Sequence, residues 1–314
     1  MSDETDTEEQ GETTLTVVIA FFANLAIAVS KTVVAMATGS ASMLAESAHS
    51  WADTGNQVLL FIADKRSRRR PDDSHPFGYG REAYVWSMLA AVGLFVAGAV
   101  VSVWNGVSKL FESGHEASYT WAYVVLGLSF VFEGISFRQA LGQTRREAHD
   151  LDRHTIDHAL RTSDPTLRAV FAEDSAALTG LVIATLGVFL HQVTGDAVYD
   201  AIGSILVGLL LGVVAVVLIN QNRRFLTGEQ SDDRLRNATL ERLKEMDEVD
   251  RVTYLRLDFV GPRKVLLVAS VDISGEERET QVAYTLRELE ERLEQSKTVV
   301  DAILSLSVPE DPAL

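Results

Sequence analysis

Glu46-Ser-Ala-His49-Ser-Trp-Ala-Asp53 places three ionisable side chains inside an apolar segment running from about Ser40 to Ala63. On a helix of 3.6 residues per turn, His49 and Asp53 are i,i+4 neighbours, and Glu46 and Asp53 fall on nearly the same line, so the three form one polar stripe. An Asp at the centre of a membrane helix costs roughly 2.5–3.5 kcal/mol on insertion scales, and the stripe therefore calls for partners, water or a bound cation. The plainer alternative is a stripe that hydrogen-bonds to neighbouring helices and only packs a bundle.

The surrounding composition bounds the chemistry. With 314 residues and 47% hydrophobic content, the chain is large enough for a membrane domain and a small soluble domain. Its mean hydropathy is only slightly positive, so the apolar residues are concentrated in blocks. There is no cysteine, which excludes disulfides and thiolate sites and leaves His nitrogen and oxygen ligands for any metal. The net charge of -16 is uneven: residues 1–13 carry six acids and no base, and residues 229–314 carry twenty acids against twelve bases. Such an acidic soluble portion argues against nucleic-acid binding and suits a high-salt cytoplasm or simple solubility. The acidic start, without a basic n-region, does not read as a secretory or transit peptide.

Taken in order, residues 1–13 are an acidic tail and residues 14–225 a six-helix membrane domain. The first span is expected over Thr14 to Thr38, with Lys31 pairing to an acid from another helix as the plain reading. The second carries the stripe and ends at the basic cluster Lys65-Arg-Ser-Arg-Arg-Arg70. A turn-rich loop follows, in which Asp72 and His75 are either weak metal donors or residues that only fix the loop's shape. The third span covers about Ala83 to Phe111 and the fourth Tyr119 to Leu141, with Glu133 as its sole acid. Gly142 to Arg168 reads as a helix-like polar segment with Asp150, His154 and His158 at i,i+4 spacing, a solvated face or a weaker metal row. Asp164-Pro165 reads as an N-cap and first helical residue of the fifth span, Thr166 to Val193, which holds Glu173 and Asp174. Adjacent helical residues differ by about 100°, so these two acids cannot both point squarely at one site. The sixth span, Ala197 to Ile219, contains Gly203, Gly208 and Gly212, which suit close helix packing. Basic residues after the second, fourth and sixth spans put both termini in the cytoplasm.

Residues 226–314 change pattern. Leu240, Leu243 and Met246 mark an amphipathic helix, while Leu255 to Phe259 and Val265 to Val271 alternate as strands around a turn at Gly261-Pro262. Val282, Leu286, Leu289 and Leu293 form a second helical stripe, and Ala302 to Val308 a last strand. The expected fold is thus membrane α-helical, six transmembrane helices followed by a small cytoplasmic α+β domain of ferredoxin-like αββαβ order. No His follows His191, so this domain offers a cation only carboxylates and carbonyls.

Six spans, a His-x3-Asp pair on the second, an Asp on the fifth and a terminal αββαβ domain together resemble the cation diffusion facilitator family of divalent-metal/proton antiporters. The resemblance is strongest in Ser42-Met-Leu-Ala-Glu-Ser-Ala-His-Ser-Trp-Ala-Asp53-Thr-Gly-Asn56 and His75-Pro-Phe-Gly-Tyr-Gly-Arg-Glu82. Val170-Phe-Ala-Glu-Asp174-Ser-Ala-Ala-Leu-Thr-Gly180 looks most like the branch that includes zinc transporter nine. The family's transport site implies His49, Asp53 and Asp174 as metal ligands. Val170 occupies the fourth place, leaving Glu173, Glu46 or water to complete the set, with Glu173 the best candidate. At the family's loop site Asp72 and His75 match and Tyr79 replaces the second His. Glu46 and Glu133 are assigned to a proton path or an outer shell.

The resemblance implies an antiporter that moves a divalent cation, Zn2+ first, out of the cytoplasm by alternating access, with protons as counter-ions and no cofactor required. The oxygen-rich ligand set keeps Mn2+, Fe2+ and Co2+ open as substrates. A homodimer in a lipid bilayer is the family expectation, and the acidic bias points to a salt-adapted prokaryote and its plasma membrane. Two rivals stay open: a transport-inactive regulatory subunit, suggested by Val170, and a membrane hydrolase with His49 as base, which lacks a positioned Ser or Cys nucleophile.

Overall fold

A computed structural model describes residues 21–111, 119–150, 154–228, 233–275 and 278–314. The acidic tail, the start of the first span and the turn before the fourth lie outside the described residues. Long helices account for most of what precedes residue 227: α1 (Phe21–Thr38), α2 (Ala41–Ser67), α3 (Glu82–Lys109), α4 (Tyr119–Asp150), the short α5 (Thr155–Arg161), α6 (Pro165–Thr194) and α7 (Val198–Leu226). Among the described residues five helices, α1, α3, α4, α6 and α7, are long and apolar enough to cross a membrane. The sixth, α2, has 27 residues and so a length of about 40 Å, ample for a span. It is less apolar than the other five because it carries Glu46, His49, Asp53, Asn56 and Gln57.

The chain forms two compact units, one holding most of these helices and the other joining residues 63–85 and 163–165 to 222–314. In the first, two apolar clusters share α2 and α6. Leu60, Ala91, Phe95, Ala169, Ala176 and Leu211 form one, and Val34, Met43, Ala122, Leu126, Leu181 and Val188 the other. Because both clusters draw on α2 and α6, these two helices are central, and polar residues on their facing sides are shielded from lipid. The third span contains an unexpected π turn at Ala91–Phe95, where the Val96 N–H reaches back to the Ala91 carbonyl.

The start of α2 shows how a membrane helix satisfies its end. Gly39, at φ 64°, closes α1 in the left-handed region. The first N–H groups of α2 have no intrahelical partner, and buried Asp200 of α7 supplies one: its carboxylate accepts from Ala41 N at 2.5 Å, Ser42 N at 3.1 Å and Ser40 Oγ at 2.8 Å. Ser42 Oγ donates to the Asp200 carbonyl at 2.8 Å. That hydroxyl occupies the space a Cβ would need at Gly203, and lies 2.8 Å from where one would stand at Gly187. Gly203 therefore does serve close packing, against a serine rather than a helix backbone.

Two expected boundaries shift. α4 continues to Asp150, past Leu141, and α5 begins only at Thr155 with His154 as its N-cap, so Asp150, His154 and His158 do not share one helix. His158 is buried, with Nε2 3.4 Å from Glu147 Oε2 on α4, while His154 is exposed. The i,i+4 row fails because His154 is extended, as the N-cap of α5, rather than helical, which spacing alone does not reveal.

The second unit has the expected αββαβ order: α8 (Asp233–Lys244), β1 (Val249–Gly261), β2 (Lys264–Ile273), α9 (Glu279–Glu294) and β3 (Val299–Leu306). The sheet order is β1-β2-β3, with β1 and β2 antiparallel and β2 and β3 parallel. Register pairs Leu255 with Ala269 and Leu257 with Leu267, and the alternate residues of β2 pack with Leu240, Leu243, Leu289 and Leu293 of the two helices. The turn at Gly261 is also a docking point within this unit. A Cβ at Gly80 would fall 2.7 Å from Gly261 Cα, and Arg81 Nε donates to the Phe259 carbonyl at 3.3 Å. Tyr84 donates to the Ser163 carbonyl at 2.9 Å, and the Arg263 N–H donates to Ser163 Oγ at 3.2 Å. The residues at the start of α3, just before α6 and on the β1–β2 turn thus meet in one place.

Asp200→Ala is expected to strand the Ala41 and Ser42 N–H groups at about 1–3 kcal/mol for a buried unsatisfied donor. Thermal unfolding of the purified protein in lipid nanodiscs should show a lowered midpoint, with Asp200→Asn, which keeps an acceptor, less affected. An unchanged midpoint for Asp200→Ala would show that the cap carries no stability.

Candidate cation site

The α2 stripe extends further than its three ionisable residues. Glu46, His49, Asp53 and Asn56 are each 5% exposed or less, and each is three or four residues from the next, so they line one face through nearly three turns. Their partners divide the stripe into an outer and a central part.

Glu46 is paired. Lys31 Nζ of α1 lies 3.0 Å from Glu46 Oε2, both side chains 1% exposed. A buried ion pair gains little net stability over apolar packing, but either charge alone would be far worse, so Lys31 and Glu46 each answer the other's charge. α1 is tied further by Thr32, whose Oγ1 sits 2.7 Å from Ser47 Oγ and accepts from Trp51 Nε1 at 3.0 Å.

His49 and Asp53 are less satisfied. His49 Nε2 approaches Asp53 Oδ1 to 3.3 Å. The contact lacks hydrogen-bond geometry, however, and both atoms are buried without a hydrogen-bond partner among the described residues. Two buried polar atoms left unsatisfied side by side in a membrane helix are candidates to ligate a cation.

Glu173 and Asp174 of α6, both buried, resolve the 100° problem by facing different helices. Glu173 Oε2 accepts a short hydrogen bond from Asn56 Nδ2, and its carboxyl abuts that of Asp53. Asp174 Oδ2 accepts from Ser136 Oγ of α4 at 2.8 Å, one turn from Glu133, which interacts electrostatically with both Asp174 and Asp53. Carboxylates gathered this way repel unless a cation or a proton lies among them. Val170 packs against the apolar cluster of Leu60 and Phe95 and contributes no donor. Among the described residues no three His, Asp or Glu side chains stand close enough together to form a finished metal cage. His49, Asp53 and Glu173 are brought together in successive pairs, with Asp174 of α6 beside them and turned to Ser136 of α4.

Asn56 is the site residue that a search for ionisable groups misses. Its signal was present in the sequence: a buried-face amide one turn beyond Asp53 in an otherwise apolar segment.

The loop pair has a different character. Asp72 Oδ1 accepts from the N–H groups of Ser74 and His75 at 3.0 and 2.9 Å and from Ser74 Oγ at 2.6 Å, and Oδ2 accepts from Tyr79 at 2.7 Å. His75 stacks on Tyr79 at 3.9 Å. The hydroxyls of Ser74 and Tyr79 hold the Asp72 carboxyl well below the usual carboxylate range. The clamp is therefore fully present at neutral pH and is lost only as pH falls below that range.

The long helices of the first unit thus enclose a buried, carboxylate-rich cluster that suits a cation. Residues 17–227 match the cation efflux transmembrane domain, and the chain belongs to the cation efflux family. Its members are secondary transporters, so the hydrolase alternative falls. The chain is 39% identical over 234 residues to metal tolerance protein C4 of Arabidopsis thaliana, covering 74% of this chain and 51% of the relative. It is 35% identical over 238 residues to the mitochondrial proton-coupled zinc antiporter SLC30A9 of Homo sapiens, covering 76% of this chain and 42% of the relative. The magnetosome protein MamB of Paramagnetospirillum magneticum is 24% identical over 242 residues, covering 77% of this chain and 76% of that protein. The chain thus spans about half the length of the first two.

Asn56→Leu removes the donor that holds Glu173 against Asp53 and is expected to weaken metal binding by roughly 10–100-fold, as loss of a hydrogen bond to a metal ligand typically does. Isothermal titration of the purified protein with Zn2+ and Mn2+ checks this, and an affinity within twofold of wild type would deny Asn56 a part in the site.

Proposed function

We propose that the chain exports a divalent cation, Zn2+ first, in exchange for protons, binding it between α2 and α6 through His49, Asp53 and Asp174, with Glu173 as the fourth ligand. The observation that carries this is the 3.3 Å approach of His49 Nε2 to Asp53 Oδ1, both buried and unsatisfied, in the membrane region of a cation efflux family member. The name of the human relative, a proton-coupled zinc antiporter, supports the choice of ion and counter-ion. Proton coupling follows from ligand chemistry: a nitrogen or oxygen that binds metal must first release its proton, and reprotonation from the far side favours release of the metal.

A harder ion, Mn2+, Fe2+ or Co2+, is the second reading, favoured by one imidazole among several oxygens and by Val170 in place of a second nitrogen ligand. Glu133, facing Asp53 and Asp174, is assigned to the proton path or the outer shell. Asp72 and His75 are assigned to shaping the loop, since the Asp72 oxygens are already engaged by loop donors. The basic ends of α2 and α7 support cytoplasmic termini and a cytoplasmic α+β domain. A homodimer remains part of the proposal. The chain is a multi-pass membrane protein, and relatives named from a plant, mitochondria and magnetosomes do not favour a prokaryotic plasma membrane over other membranes.

Metal uptake into proteoliposomes under a proton gradient, comparing Zn2+, Mn2+, Fe2+ and Co2+, separates the readings. Asp53→Ala and Asp174→Ala are each expected to cut flux by at least roughly 10–100-fold, the loss that even an outer partner of a metal ligand causes. Flux unaffected by both substitutions would overturn the site, and no flux from wild type with any ion would favour the regulatory-subunit reading.

A further inference from the structure

We propose that Glu46, held by Lys31, is the positioning carboxylate of His49: it takes the hydrogen bond of the Nδ1–H and so presents Nε2 to Asp53 and the cation. The inference rests on His49 being a ligand and adds how its ring is set.

Imidazole binds metal through one nitrogen while the other carries a proton, and which is which depends on the acceptor offered to the N–H. His49 is 1% exposed, and neither of its ring nitrogens has a hydrogen-bond partner among the described residues. Nε2 faces Asp53. Nδ1 therefore needs an acceptor. Glu46, one turn earlier on the same face of α2, is fully buried, spends Oε2 on Lys31 at 3.0 Å, and has no partner for Oε1.

Both orphaned atoms border the same space. A Cβ added at Gly180 of α6 would stand 2.6 Å from Glu46 Oε1 and 3.7 Å from His49 Nδ1. A side chain there would wedge between carboxylate and ring, whereas glycine lets them meet, directly or across one water bonded to both. Lys31 makes the arrangement workable. A lone Glu46 carboxylate would compete with Asp53 for the cation, but one whose other oxygen is bound to an ammonium adds no net charge to the site and keeps its acceptor oxygen aimed at the ring.

The test uses the full-length protein in nanodiscs with 15N-labelled histidine, the His49 signals being assigned by their loss in His49→Ala. Zn2+-loaded wild type is expected to show His49 protonated at Nδ1, with Nε2 on the metal. Glu46→Leu should lose that preference and bind Zn2+ roughly 10–100-fold more weakly, while Glu46→Gln, which still offers an acceptor oxygen, should keep the tautomer and lose less affinity. If Zn2+-loaded wild type shows His49 protonated at Nε2, the proposal is overturned whether or not the variants fold. If His49→Ala abolishes Zn2+ binding while Glu46→Leu leaves both affinity and tautomer unchanged, the positioning role is overturned and the ligand assignment stands. If His49→Ala leaves Zn2+ binding intact, the ligand assignment falls and takes the positioning role with it.

Discussion

A carboxylate in hydrocarbon persists only if something answers its charge, and α2 brings two of them, Glu46 and Asp53, into the bundle on one face. The two are answered differently. Glu46 receives a permanent partner in Lys31 at 3.0 Å, contributed by the preceding helix. Asp53 receives only a 3.3 Å approach from His49 without hydrogen-bond geometry, and the company of another acid, Glu173. In the pair, mutual attraction offsets the cost of desolvating both charges, whereas the acids gathered around Asp53 repel unless a cation or a proton lies among them.

The same constraint shapes the rest of the membrane region. For the stripe to stay out of lipid, α2 must lie against α6, and both apolar clusters draw on these two helices. For α2 to hold its depth and rotation, its first turn needs partners where water is scarce, and Asp200 provides them together with Ser40 and Ser42. Gly203 and Gly187 then matter for a concrete reason: the Ser42 hydroxyl fills the volume their side chains would take. Positioning of the polar stripe therefore begins two turns before His49, at the capped end of α2.

Much of this was legible in advance. The period of the apolar residues located each long helix to within a few residues except where polar continuation was allowed. α4 and α7 run on to Asp150 and Leu226 because their last turns are stabilised as helix although they are no longer apolar. The αββαβ order followed from a change in period from three or four to two. The π turn at Ala91–Phe95 left no trace in the pattern, since one extra residue in a uniformly apolar helix does not disturb its apolar character. The row of Asp150, His154 and His158 misled because spacing implies a shared face only if the helix is unbroken.

By itself the sequence determined that charged groups lie in a membrane helix, that a metal site would use nitrogen and oxygen ligands, and which residues carry the family's motif. These follow from composition and from helix periodicity, which are properties of the chain. Only the tertiary structure decided which charge answers which: that Lys31 belongs to Glu46, that Asn56 steers Glu173, that Asp174 turns to Ser136, and that Asp200 caps a helix 159 residues away. Those pairings are set by which helix faces meet, and helix packing is governed by volume and close approach, which a one-dimensional pattern does not encode.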